Sequence, residues 1–115
     1  MTAPSSRFDL AGRVIIVTGG GSGIGKVYSE RLAQAGARVV VADLKREDAS
    51  RIASELNAAG AEAIAVQGDI SEKEATARMA EAAVSAYGRI DGLVNNAGLM
   101  SVLPRRPWHQ IPVEE

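Results

Sequence analysis

The chain has no cysteine, which excludes disulfides, thiolate metal sites and a cysteine nucleophile. Its single histidine, His109, cannot build a multi-histidine metal centre. Charge of one sign is not in excess either. Thirteen basic residues face 14 acidic ones, for a formal net charge of -1, and that balance leaves no electrostatic footprint for nucleic acid or an anionic membrane. Long apolar runs are missing: stretches such as Val39-Val40-Val41-Ala42 are far too short to cross a bilayer. Residues 1–10 lack a basic segment followed by an apolar one, so no secretory signal is read. The expectation is a cytoplasmic protein with neither membrane nor nucleic acid as partner.

What is present fits one folded unit. At 115 residues and 46% hydrophobic content, the chain has the length of one domain. It can bury roughly 60 to 70 per cent of its unfolded surface. Glycine is the one compositional oddity: five of the 12 fall between Gly19 and Gly25.

Three apolar runs read as strands covered on both faces: Val14-Ile15-Ile16-Val17, Val39-Val40-Val41-Ala42 and Leu93-Val94. Continuous β-branched runs without alternation suit a parallel sheet sandwiched by helices. The more mixed segment from Glu62 to Gln67 reads as an edge strand. Between the strands, Ile24, Val27, Tyr28, Leu32 and Ala35 follow the spacing of one helix face, interrupted by Arg31. Ala49, Ile52, Ala53, Leu56 and Ala59 repeat the pattern, as do Ala75, Met79, Ala82, Ala83 and Ala86. Gly36, Gly60 and Gly88 stand where each helix should stop. Ser71 and Glu74 form a capping-box pattern ahead of the third helix. The alternation β-α-β-α-β-α-β implies right-handed crossovers and an α/β doubly wound sheet. The motif-bearing core spans residues 12–98. Residues 99–115 hold three of the four prolines and read as a loop or tail.

The glycine cluster, Thr18-Gly19-Gly20-Gly21-Ser22-Gly23-Ile24-Gly25, follows a strand and opens a helix. Glycines in that setting allow a tight turn, let backbone N–H groups approach a diphosphate and let helix and strand pack closely. The helix N-terminus adds free donors and partial positive charge. Asp43 ends the second strand, about 20 residues beyond the glycines. A carboxylate there accepts hydrogen bonds from ribose hydroxyls and repels a 2′-phosphate, favouring NAD over NADP. Lys45 and Arg46 soften that preference, whereas Ser22 supports it, since a basic residue in the loop would favour phosphate. The plainer readings are a flexible loop for the glycines and a helix cap or loop aspartate for Asp43.

The order Thr-Gly-x-x-x-Gly-Ile-Gly, Asp43, Gly68-Asp69-Ile70 and Asn95-Asn96-Ala97-Gly98 resembles the short-chain dehydrogenase/reductase family over about residues 8–99. The resemblance implies a Rossmann-type sheet of about four strands in the order 3-2-1-4. It also implies an NAD-dependent hydride transfer between a nicotinamide and an alcohol or carbonyl substrate. It places Gly19, Ser22, Gly23, Ile24 and Gly25 at the diphosphate and nearby ribose, Asp43 and Leu44 at the adenosine ribose, and Asp69 and Ile70 at the adenine. Asn96, Ala97 and Gly98 fall at the centre of the cofactor, with Asn95 tying the sheet. Asp69 has a competing role as a helix cap, Asn95 as a purely structural residue and Gly98 as a turn residue.

The same resemblance implies a catalytic serine and a Tyr-x-x-x-Lys pair, and no residue here matches them. Tyr28 is followed four places on by Leu32, and Tyr87 by Asp91; Ser101 follows the Asn-Asn-Ala-Gly motif too closely. The family chain is about twice this length, so the 115 residues read as its cofactor-binding half. On that reading the Leu93 strand is an open edge with uncovered apolar faces, and the chain alone is expected to be inactive and to aggregate or stay partly molten. Family members are commonly dimers or tetramers, which is the expectation for a complete form. Two alternatives share every motif: a non-catalytic NAD(P)-binding regulatory or redox-sensing module, and an unrelated doubly wound domain for another nucleotide.

Overall fold

A computed structural model describes residues 9–21 and 23–96. The elements alternate as the apolar pattern predicts: β1 (Val14–Thr18), α1 (Gly23–Gln34), β2 (Arg38–Asp43), α2 (Arg46–Ala58), β3 (Glu62–Gln67), α3 (Lys73–Tyr87) and β4 (Gly92–Asn95). All strand pairs are parallel and the sheet order is β3-β2-β1-β4. This is a Rossmann-type doubly wound sheet. Among the described strands, the mixed Glu62–Gln67 segment lies on an edge, hydrogen-bonded to β2 alone.

The β-branched runs explain why the sheet can be covered twice. Val17, Val39 and Val41 point to one face and meet Ala49, Ile52, Ala53 and Leu56 of α2. Val14, Ile16, Val40 and Ala42 point to the other and meet Met79 and Ala83 of α3. Side chains that alternate across a strand thus feed two cores. At the far end of the strands, Asp91 accepts a hydrogen bond from the Val14 N–H at 2.8 Å and pairs with Arg89 at 2.7 Å. The Arg89 and Val14 donors hold its carboxyl below the usual carboxylate range. Among the described residues no helix is long and apolar enough to cross a membrane.

The helix ends fall where glycine was expected. Gly36, Gly60 and Gly88 adopt φ values of 99°, 95° and 80°, the left-handed conformation that closes a helix. Two expectations need correction. The Ser71–Glu74 capping box does not form: α3 begins at Lys73, its cap position is Glu72, and no side chain caps it. Asp69 has captured Ser71 instead, as aspartate does when a backbone donor lies two residues on. The apolar stripe of α1 is not its core face. Ile24, Val27 and Tyr28 are exposed, while Gly25 and Ser29 are buried and Leu32 and Ala33 are half-buried against the core. Small residues on that face let the helix approach the sheet closely, which a stripe of large side chains would prevent.

β4 pairs with β1 alone among the described strands, and Leu93 is 58% exposed.

Candidate functional site

The carboxyl ends of the strands carry the site, because the connections there bend the chain over the sheet. The first is the glycine bend. Gly19 and Gly23 have φ values of 66° and 58°, a region that costs a side-chain-bearing residue energy. Gly20 donates its N–H to the Ala42 carbonyl at 3.1 Å, which pins the bend to β2. A Cβ on Gly20 would stand 3.0 Å from the Val17 carbonyl oxygen and 3.1 Å from Ser29 Oγ. A Cβ on Gly25 would overlap the Gly19 carbonyl oxygen and lie 2.8 Å from Asn96 Nδ2. Gly20 and Gly25 are therefore required by their neighbours, and Gly19 and Gly23 by their backbone conformation. Ser29 Oγ, fully buried under the bend, makes no hydrogen bond among the described residues.

The end of α1 that faces this bend carries no negative side chain and one positive one, Lys26. Its first turn contains no acidic side chain, in contrast to Glu47 and Asp48 in the first turn of α2. A Cβ on Gly23 meets nothing within 4 Å among the described residues. The donors and positive dipole end that a helix N-terminus generally presents suit an anionic group.

Asp43 is half-buried at the end of β2. Its Oδ2 accepts the Gly21 N–H at 3.0 Å and its Oδ1 accepts the Lys45 N–H at 3.0 Å. It does not cap α2, whose cap position is Lys45 with no side-chain bond. The carboxylate joins the glycine bend to the second strand and retains lone pairs beyond the two in use.

A recess lies beside it, lined by Leu44, Gln67, Gly68, Asp69, Glu72 and Arg78. Leu44 is 53% exposed above it. Asp69 Oδ1 accepts both the Ser71 N–H at 2.9 Å and its hydroxyl at 2.7 Å, which lowers the carboxyl's pKa below the ordinary value. Its role in the turn before α3 and its place in the recess therefore coexist. Ile70 is half-buried but does not line the recess. Gln67, which the sequence did not single out, holds the recess in shape by donating to the Leu44 carbonyl at 3.2 Å. The Gly68 N–H donates to the Asp43 carbonyl at 3.0 Å.

On the other side of β1, Thr18 joins the ends of β1 and β4. Its hydroxyl accepts the Asn96 N–H at 3.0 Å and lies 3.3 Å from both the Val94 carbonyl and Asn95 Oδ1. Asn96 Nδ2 reaches the Gly19 carbonyl at 3.5 Å. Asn95 and Asn96 thus meet the glycine bend through Thr18, a buried residue whose part only the structure reveals. Of the sequence-predicted residues, Gly19, Gly23, Ile24, Gly25, Asp43, Leu44, Asp69, Ile70 and Asn96 lie along this one end of the sheet. Ser22, Ala97 and Gly98 lie outside the described residues. Among the described residues no cluster of acidic, histidine or cysteine side chains could hold a metal ion.

Residues 13–114 match the short chain dehydrogenase family. The chain belongs to that family. As a short-chain dehydrogenase it is 41% identical over 102 residues to 1-deoxy-11-beta-hydroxypentalenate dehydrogenase of Streptomyces exfoliatus, covering 89% of this chain and 37% of that protein. It is 39% identical over 94 residues to 7alpha-hydroxysteroid dehydrogenase of Escherichia coli K12, covering 82% of this chain and 37% of that protein. Among solved structures, a hydroxysteroid dehydrogenase from Escherichia coli superposes with a TM-score of 0.79 at 39% identity, over 83% of this chain and 40% of that one. A 7 alpha-hydroxysteroid dehydrogenase in complex with NADH and 7-oxo glycochenodeoxycholic acid superposes with a TM-score of 0.77 at 40% identity, over 79% of this chain and 36% of that one. The short-chain dehydrogenase chain described here thus spans well under half the length of these relatives.

Proposed function

We propose that this chain is the dinucleotide-binding half of an NAD-dependent oxidoreductase that acts on an alcohol or carbonyl substrate. The observation that carries the reading is the glycine bend at the N-terminus of α1, whose first turn has no acidic side chain, held at Gly21 by the carboxylate of Asp43. In this reading Gly19, Ser22, Gly23, Ile24 and Gly25 seat the diphosphate with backbone donors. Asp43, with Leu44 beside it, accepts hydrogen bonds from the adenosine ribose and disfavours a 2′-phosphate. Asp69 accepts from the adenine amino group and Ile70 packs on the ring. Asn96, Ala97 and Gly98 border the central part of the cofactor. A bound nicotinamide supplies the hydride acceptor or donor. Dehydrogenase relatives at about this identity over most of the chain, one of them solved with NADH, support the assignment.

Calorimetric titration of the full-length protein with NAD, NADP and ATP tests it. NAD is expected to bind tightest, and ATP should fail to displace it. Absence of dinucleotide binding, or ATP outcompeting NAD, would overturn the proposal.

A further inference from the structure

The nucleotide end of the sheet holds a cation that this reading leaves without a task. Arg51, on the second turn of α2, places Nη2 3.5 Å from the Gly21 carbonyl oxygen. The N–H of the same glycine donates to Asp43 at 3.0 Å. A guanidinium and a carboxylate therefore reach the two polar backbone atoms of one residue of the bend. The absence of a side chain at Gly21 makes this possible. A Cβ there would lie 2.8 Å from Asp48 Cβ and 3.0 Å from the Ala49 nitrogen, so the first turn of α2 is pressed against the bend. Arg51's remaining partners are carboxylates of its own helix, Asp48 at 3.5 Å and Glu55 at 3.9 Å, and its side chain is 56% exposed. Exposed pairs of this kind are weak and readily exchanged.

We propose that Arg51 is a second determinant of coenzyme choice: a latent phosphate-binding cation that takes up the 2′-phosphate of NADP once Asp43 is replaced. The inference rests on the assignment of Asp43 to the ribose. A 2′-phosphate would stand where the hydroxyl facing Asp43 stands, so its charge falls beside Gly21, whose carbonyl Arg51 already reaches. The planar guanidinium offers a two-pronged match to phosphate oxygens. Arg46 lines an adjoining groove that shares Gln67 and Arg78 with the recess beside Asp43, so Arg46 and Arg78 are tested as alanine variants beside Arg51. Lys45 is a further competitor, since its backbone N–H is bound to Asp43.

The test uses the full-length protein with Asp43→Ala, or with Asp43→Ser, which keeps an acceptor for the Gly21 N–H if the alanine variant folds poorly. NAD and NADP affinities are measured by calorimetry in that background, with Arg51→Ala, Arg51→Lys, Lys45→Ala, Arg46→Ala or Arg78→Ala added. Arg51→Ala is expected to lower the NADP:NAD affinity ratio about tenfold, the size of one charge-assisted hydrogen bond. Arg51→Lys should restore part of it, and added salt should weaken NADP binding less once Arg51 is gone. An equal loss for both coenzymes would mean that Arg51 only braces Gly21, and would overturn the proposal. So would a larger fall in the ratio from Lys45→Ala, Arg46→Ala or Arg78→Ala. An Asp43 variant that binds NAD as before and gains nothing for NADP would instead sink the ribose assignment.

Discussion

Replacing Gly25 by alanine is expected to lower dinucleotide affinity by about 100-fold. The added methyl group is small, but its neighbours are backbone. The Cβ would overlap the Gly19 carbonyl oxygen, come within 2.7 Å of the Gly19 carbonyl carbon and crowd Asn96 Nδ2 at 2.8 Å. Neither the carbonyl nor the helix can swing aside as a flexible side-chain tip would. Relief requires α1 to withdraw from the bend or the bend to open, and either motion misaims the N–H groups of the helix start. Overpacking of this kind costs about 3 kcal/mol at its upper range, and each 1.4 kcal/mol is about a factor of ten in affinity. Gly60→Ala is the control. Its φ of 95° makes alanine strained there too, but its Cβ meets nothing within 4 Å and it lies after α2. That variant should lose stability while binding the dinucleotide nearly as well as the parent. Titration calorimetry paired with thermal unfolding separates the two effects. Equal affinities for the parent and Gly25→Ala would contradict the geometry.

Asp43→Ala is expected to weaken NAD by about 10- to 100-fold, the cost of losing hydrogen bonds to a charged acceptor, and to improve NADP relative to NAD. Two effects act in the same direction for NAD. The ribose loses its acceptor, and the Gly21 and Lys45 N–H groups lose theirs, so the bend is less firmly held. Only the first effect depends on coenzyme identity, because removing the carboxylate also removes its repulsion of a 2′-phosphate. Asp43→Asn tells the two apart: it keeps one oxygen acceptor for the backbone but carries no charge. If charge decides the preference, asparagine should shift the NADP:NAD ratio almost as far as alanine does while perturbing the bend less. An unchanged ratio in both variants would show that Asp43 serves the loop alone.

Much of the architecture was legible because it depends on local signals. Uninterrupted β-branched runs specify strands with both faces covered, and two distinct cores do lie on the two faces of β1 and β2. The helix-ending glycines were equally readable, since a left-handed residue is a local requirement. The face of α1 was not. It buries Gly25 and Ser29, which carry almost no apolar signal, while Ile24, Val27 and Tyr28 remain outside and, of the larger stripe residues, Leu32 packs against the core. The capping box at the start of α3 was misread because two motifs, the aspartate turn at Asp69 and the Ser71–Glu74 box, compete for Ser71, and Asp69 takes it.

The site divides along the same line. Its glycines and Asp43 sit in a recognisable order along the chain. Thr18 and Gln67 matter through partners far away in sequence: Thr18 meets Asn95 across 77 positions and Gln67 meets Leu44 across 23. Such pairs exist only once the parallel register is set. Arg51 is a similar case. As a residue in the middle of an amphipathic helix it reads as a solvated charge, and its approach to Gly21 follows from how closely α2 docks on a side-chain-free bend.

The central claim is that the bend between β1 and α1 seats the diphosphate of a dinucleotide while Asp43 holds its ribose. A crystal structure of the full-length protein with NAD tests this most directly. The account predicts diphosphate oxygens within hydrogen-bond distance of the backbone N–H groups between Gly19 and Gly25, and ribose hydroxyls on the Asp43 carboxylate. A dinucleotide lodged elsewhere, with that bend empty, would contradict it.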